Sequence, residues 1–343
     1  YSSVIERLKI LEKNKIFFYL LKIFIIRKLI GIMILILSFF TIHKKIKNKK
    51  SDFILINNGG YPGGLSSYLV IFSAFLLKKK TAMIIRNYPP CNYKKSITMV
   101  ITKFIIQKFH CNIIAVSNSL KKSLVVDGGL QKEKIKVIYN GISIQNKKKI
   151  QNIKKVKIRK LSVGIFGRVE HRKGHHLLLS AWKLVQIKLP NLNLYIVGNG
   201  NIKYIKELKK IIKSENLSRD KIMWISYTNN IYSLLKQIDL VIVPSINYES
   251  FGRIAVEAMA LKKPIITSNF GGLKEININK RTGFIVNVKN KILFGNKIIE
   301  LIKNKNKRII FGKRGFKNYR GNFTASIMSK YYYEFVRQQL QIK

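Results

Sequence analysis

From Asp52 onward, short apolar runs alternate with longer stretches of helical period, and this alternation restricts the fold more than any other feature of the chain. DFILIN, TAMIIR, NIIAVS and IKVIYNG read as strands. GGLSSYLVIFSAFLL, KSITMVITKFIIQKF and NSLKKSLVV, lying between them, read as helices. A strand apolar along its whole length must be buried on both faces, which a parallel sheet covered by helices provides. Strand–helix alternation of this kind predicts a doubly wound α/β sheet.

SIQNKKKIQNIKKVKIRK (143–160) then interrupts the pattern with a polar, Lys-rich run that has no apolar period, and reads as an interdomain linker. Alternation resumes with KLSVGIFG, NLYIVGNG, KIMWIS, DLVIVPS, KPIITSN and TGFIVNV. Residues 1–150 and 151–322 are therefore expected to form two domains, which suits a chain of 343 residues. The stretch 323–343 is expected to be a terminal helix packing back toward the first domain. Two parallel sheets facing each other leave a cleft at the carboxyl ends of their strands, where such folds bind ligands.

Charge bears on partners. The chain carries 66 Lys plus Arg against 15 Asp plus Glu, a formal net charge of +51. That suggests a polyanionic partner or an anionic membrane surface. A biased composition is the plainer source, since Lys, Ile and Asn are overused even in the linker. Ile16 to Ile42 is apolar but broken by Lys22, Arg27 and Lys28. It reads as an amphipathic membrane-facing helix or a buried helix, with a true span as a third option. Cys91 and Cys111 have no metal-ligand or C-x-x-C spacing, which fits reduced thiols in a cytoplasmic compartment.

Three loops of the second half carry chemistry. GIFGRVEHRKGHH (164–176) places Arg168 and Lys173 between a strand and a helix opening at Gly174. Cations beside a helix N-terminus form an anion site, because unpaired N–H groups and the helix dipole both favour negative charge. His171, His175 and His176 lack a carboxylate at a zinc-site spacing, and no metal is expected. VPSINYESFGRIAVEAMA (243–260) leaves Glu249 in a loop and puts Glu257 inside the following helix. The N–H groups of Ser250, Phe251 and Gly252 offer a second anion cradle, and carboxylates beside it can accept from sugar hydroxyls. SNFGGLKEI (268–276) adds paired glycines and Glu275.

In this order the pieces resemble the nucleotide-sugar-dependent glycosyltransferases of family 4, retaining enzymes of the two-Rossmann GT-B fold. The residues behind the resemblance are GRVEHRKG, LYIVGNGN, DLVIVPS, Glu249-x7-Glu257, FGG with Glu275, and TGFIV. It implies that Glu249 contacts the donor sugar near its reacting carbon and that Glu257 holds the ribose diol. It also implies that Arg168 and Lys173 bind the diphosphate and stabilise the leaving nucleotide without a metal. Gly252 and Arg253 match amides facing the phosphates, and Gly167, Gly198 and Gly200 match loops near the nucleotide. On the acceptor side, Arg86 with Asn87 stands where the family often has a His, and Asn57 or Asn58 replaces another. Gly59 and Gly60 supply a glycine loop beside them. Ser226 stands where Gly is commoner. The family's first strand is not evident before Asp52, so the first domain is expected to be incomplete.

The resemblance implies transfer of a hexosyl or N-acetylhexosaminyl group from a nucleoside diphosphate sugar. The expected acceptor is a lipid-linked or cell-surface glycan at the inner face of the membrane, with no cofactor and no nucleic-acid partner. A sugar-nucleotide epimerase on the same fold and a basic polyanion-binding protein are the rival readings.

Overall fold

The computed structural model describes residues 29–90, 96–144, 158–159, 161–228, 230–247 and 249–341. Residues 16–28 of the apolar stretch, Cys91, and residues 145–157 and 160 of the expected linker lie outside the described residues.

The first domain opens with helix α1 (Leu29–Lys47). It continues through β1 (Phe53–Asn58), α2 (Leu65–Leu76), β2 (Lys80–Ile85), α3 (Ile97–Lys108), β3 (Asn112–Ala115), α4 (Asn118–Val126) and β4 (Ile135–Val137). The four strands are parallel and lie in the order β1-β2-β3-β4. Each step to the next strand runs in one direction, so right-handed crossovers put α2, α3 and α4 on one face. A different part of the chain covers the opposite face. Helix α12 (Ala325–Leu340) sets Phe335 edge-on against Phe53, ring centroids 6.2 Å apart. At its far end Gln339 accepts from Asn112 Nδ2 at 2.7 Å. The end of the chain thus completes the first domain.

The second domain holds six parallel strands: β5 (Ser162–Phe166), β6 (Asn193–Val197), β7 (Ile222–Ile225), β8 (Leu240–Val243), β9 (Ile265–Ser268) and β10 (Gly283–Val286). Their order, β10-β9-β8-β5-β6-β7, reverses between β5 and β8. That reversal is a topological switch point, where loops from adjacent strands diverge and leave a crevice. Strands β5, β6, β8 and β9 are buried along their whole lengths, as parallel strands between helix layers must be. The layers comprise α5 (His175–Lys188), α6 (Ile202–Ser214), α7 (Ile231–Gln237), α8 (Arg253–Ala260), α9 (Leu273–Ile276), α10 (Lys291–Lys303) and α11 (Lys305–Asn322). This is the two-sheet GT-B arrangement.

The return of the chain to the first domain is bonded to the end of that domain. Ile142 N–H donates to Phe323 O at 2.9 Å, and Ala325 N–H donates to Ile142 O at 3.1 Å. Tyr319 Oη–H also donates to Ile142 O, at 2.9 Å. One face of the first domain, by contrast, is left apolar and open. Helix α1 touches α2 through Phe39 on Phe72 and a hydrogen bond between His43 and Ser73. Most of its other apolar side chains are exposed, Leu29 at 59% and Phe40 at 63%, and none is buried, so among the described residues α1 is not the buried helix that was one of its three readings.

Candidate functional site

Strands β5 and β8 are neighbours at the switch point, and the loops leaving their carboxyl ends interlock. After β5 come Gly167 and Arg168, then a short 3-10 turn over His171–Lys173. Gly174, in the left-handed region at φ 73°, turns the chain into α5. A Cβ at Gly174 would lie 2.1 Å from Pro244 O, so no other residue lets the two loops approach this closely. Ile246 N–H donates to Arg172 O at 2.9 Å and ties the second loop to the first.

This packing brings Lys173 to Glu249. The ammonium lies 2.6 Å from Oε2, and Ser245 Oγ–H donates to the same oxygen at 2.7 Å. Glu249 is buried, with 7% of its surface exposed. Its backbone is fixed as well, since Gly272 N–H donates to Glu249 O at 2.9 Å. A charge pair so far out of water depends on both partners. Arg168 differs: it is exposed, and its guanidinium has no ion-pair partner among the described residues. An anion at this edge therefore meets one free guanidinium, one ammonium already shared with a carboxylate, and the N-terminus of α5.

Helix α8 explains the small apolar run after Glu249: Ala255 to Ala260 are all buried against the sheet and α11. Gly252, at φ 95°, is its N-cap and offers no side-chain acceptor. Ala255 N–H donates to Gly252 O at 3.0 Å, which leaves the N–H groups of Arg253 and Ile254 without an intrahelical acceptor. Ser250 is half-buried just before them. The Phe251 ring turns away into an aromatic cluster with Tyr139 and Phe323, at centroid distances of 6.2 and 5.9 Å. Only the backbone of Phe251 belongs to the site. Glu257 is buried, and its Oε1 accepts from Arg253 Nε at 2.8 Å. Burial pushes the Glu257 carboxyl above the usual range, with the Arg253 guanidinium pulling the other way. Arg253 keeps most of its side chain in solvent.

Gly198 and Gly200 follow β6, and their loop nests on the Arg168 loop, with Val169 N–H donating to Asn199 O at 2.9 Å. The histidines do not converge on a metal. His171 stacks on His176 at 4.3 Å, and His176 Nδ1 lies 2.8 Å from Tyr204 Oη. His175 is fully buried, which pushes its imidazole down to about 4. Among the described residues no group of three or more His, Cys, Asp or Glu could hold a metal ion.

Across the cleft, the carboxyl ends of β1 and β2 bring Asn57, Gly60, Arg86 and Asn87 together. Arg86 donates from Nε to Asn57 Oδ1 at 3.0 Å and from NH1 to Asn140 Oδ1 at 2.7 Å. Gly60 lies beside Asn87, which is exposed, as is Gly59. Asn58 is not with them. It is buried, and its Nδ2 donates toward Pro62 O and Met83 Sδ, shaping the loop rather than facing the cleft. Sequence reading missed three residues that touch the site. Ser245 holds Glu249, Tyr88 of the first domain reaches Gly271, and Tyr139 packs against Phe251. Ser245 was detectable as the first hydroxyl after a buried strand. The other two depend on contacts distant in sequence.

Comparison with known proteins agrees with this geometry. The family model described as glycosyl transferases group 1 matches residues 143–318, just over half of the chain. A 41.2 kDa protein of the cps region in Klebsiella pneumoniae is 27% identical over 77% of this chain and 72% of its own length. The capsular polysaccharide biosynthesis glycosyltransferase CapM of Staphylococcus aureus is 28% identical over 63% of this chain, which spans only 59% of that protein. Among solved structures, Anabaena HepE in complex with UDP superposes with a TM-score of 0.73 at 20% identity, covering 88% of this chain and 80% of that one. That likeness establishes the shared fold.

The Lys173–Glu249 pair gives a direct test of the site's electrostatics. Lys173→Met leaves the Glu249 carboxylate buried with one hydroxyl donor and is expected to cost about 3 kcal/mol in urea unfolding. Adding Glu249→Gln should restore most of that loss, because the unpaired charge is then gone. A double variant no more stable than the single would show that the pair is not what the substitution breaks.

Proposed function

The chain belongs to the group 1 glycosyltransferases, and from that premise we propose that it moves a hexosyl or N-acetylhexosaminyl group from a nucleoside diphosphate sugar, as a family 4 enzyme retaining anomeric configuration. The observation that carries this reading is Lys173 on Glu249 at 2.6 Å between the N-termini of α5 and α8, with the free Arg168 on the adjoining loop. Cations and helix N-termini together suit a diphosphate. They also oppose the charge that grows on the leaving nucleotide as the glycosidic bond breaks, so the reading needs no metal. Glu249, fixed at its backbone and side chain, is placed to accept from hydroxyls of the donor sugar. Glu257, one turn inside α8, is the carboxylate for the ribose diol.

No side chain here is assigned as a covalent nucleophile. In our reading the departing phosphate takes the proton of the acceptor hydroxyl on the same face that the acceptor attacks. Arg86, Asn57 and Asn87 line the acceptor side, and Arg86 offers a guanidinium whose hydrogen-bond acceptors are neutral amides. A lipid-linked or growing surface glycan at the cytoplasmic face of the membrane is the acceptor class we favour. The support is the open apolar face of the first domain: α1 is long and apolar enough to cross a membrane by length and composition. Ile97 and Phe104 of α3 are exposed at 72% and 60%, and Lys44, Lys45 and Lys47 end α1, with Lys49 and Lys50 just after it. Lysines this close to an anionic bilayer each contribute about 1 kcal/mol.

Three measurements test these steps. Calorimetry should find submillimolar binding of UDP or GDP, weakened about tenfold, or 1.4 kcal/mol, by Glu257→Ala. Binding of neither nucleotide would overturn the donor site. Once an acceptor is in hand, NMR should show product with the donor's anomeric configuration, and an inverted product would refute the retaining assignment. The full chain should sediment with anionic liposomes at physiological salt and remain in solution with neutral ones. Failure to sediment with either would remove the membrane from the proposal.

A further inference from the structure

Glu275 lies in α9, just past Gly271 and Gly272, and its carboxylate accepts four hydrogen bonds, all from the other domain. Asn118 N–H and Ser119 N–H each donate at 2.8 Å, Asn118 Nδ2 at 3.1 Å and Tyr139 Oη–H at 2.9 Å. Asn118 and Ser119 are the first two residues of α4, whose N-cap Ser117 already accepts from Leu120 N–H at 3.0 Å. First-turn N–H groups have no intrahelical acceptor, and the positive end of the helix favours an anion there. Helix α4 has no acidic residue in its own first turn. The second domain supplies that anion.

The same contact is tied to the site. Gly272 N–H holds Glu249 O, and a Cβ at Gly271 would lie 2.1 Å from that oxygen and 3.0 Å from Tyr88 Oη. Tyr88 Oη in turn lies 2.7 Å from Ser119 Oγ, beside the N–H groups that Glu275 accepts from. Tyr139, which donates to Glu275, also packs on Phe251, two residues after Glu249, and on Phe323, where the chain returns to the first domain. A plain surface contact would touch neither the catalytic loop nor the crossing point. This one touches both.

We propose that Glu275 is a positioning residue: its carboxylate, seated on the first turn of α4 and on Tyr139, latches the two domains and holds the Glu249 loop against the acceptor side of the cleft. Its catalytic consequence rests on the transferase reading, but the latch itself does not. Glu275→Gln keeps the shape and replaces one acceptor oxygen with an NH2 that must face N–H donors. Tyr139→Phe removes one donor and keeps the ring packed on Phe251 and Phe323, so it guards against a variant that fails to fold.

Small-angle scattering of the full chain should give a larger radius of gyration for Glu275→Gln and a smaller increase for Tyr139→Phe. UDP affinity by calorimetry should stay within about threefold of wild type, since the donor residues all lie in the second domain. Release of UDP from UDP-glucose, by transfer or slow hydrolysis, should fall about tenfold, the scale of one hydrogen bond to a charged group. An unchanged radius of gyration in Glu275→Gln overturns the latch. So does a loss of UDP affinity equal to the loss of turnover, which would mean that Glu275 acts on donor binding or on the fold. Wild type that binds neither UDP nor GDP would instead defeat the donor reading, with the scattering comparison still deciding the latch.

Discussion

A parallel strand can be followed by another only through a crossover that starts from its carboxyl end, and this constraint organises the molecule. Every strand of both sheets therefore releases its chain at one edge, and most of those chains run directly into a helix. The N-termini of α5 and α8 consequently lie along one rim of the second domain, at the reversal between β5 and β8. The first domain presents its own such rim, with α4 opening there. The site needs little further construction. Two loops that nearly collide at Gly174 and Pro244 bring Lys173 to Glu249, and a third, at Gly271 and Gly272, fixes the backbone of Glu249.

Much of this was legible in the sequence because parallel strands and their loops leave local traces. VGIF, LYIV, LVIV and IITS are short runs, apolar but for the Thr-Ser of the last, that turned out buried throughout, and each leads into a site loop carrying Gly or Ser. Arg168, Lys173, Glu249 and Glu257 are identifiable for the same reason, being polar residues at strand ends or one turn into a helix. What was not legible has physical causes. Helix α11, KNKRIIFGKRGFKNYRGN, shows no clear apolar period because half of its buried contact is made by glycines: Gly312 lies against Lys262 O, and Gly315 against Met259. Asn58 reads as a cleft residue, yet it turns inward because the loop after β1 needs its amide. The bond between Glu275 and Asn118 spans 157 positions and leaves no local signature.

The scarcity of acid answers a question that composition alone leaves open. With 15 carboxylates against 66 Lys plus Arg, there are too few acids to pair with most of the cations. Several carboxylates, by contrast, are paired at particular points of the fold. Glu249 pairs with Lys173, Glu257 with Arg253, Glu300 with Lys297 and Lys307, and Glu275 with a helix N-terminus. Two of these, Glu249 and Glu257, are buried, which a carboxylate tolerates only with such partners. In this chain a buried acid therefore carries more information than any number of exposed lysines.

The same imbalance acts at long range. A surface whose charge is nearly all of one sign raises the local concentration of anions and speeds their encounter, with an effect that salt screens. A nucleoside diphosphate sugar and an anionic bilayer are both drawn by that field, but it cannot tell them apart. Discrimination has to come from the local surface. The rim of the second domain is polar, with Arg168, Lys173 and Glu249 on the interlocked loops after β5 and β8. The outer face of α1, α2 and α3 is largely apolar, with Phe40, Phe75, Ile97 and Phe104 exposed. On the proposed function, a diphosphate would gain hydrogen bonds at the first and a bilayer would gain burial of apolar side chains at the second. The same charge would then draw both anions, and different parts of the fold would sort them.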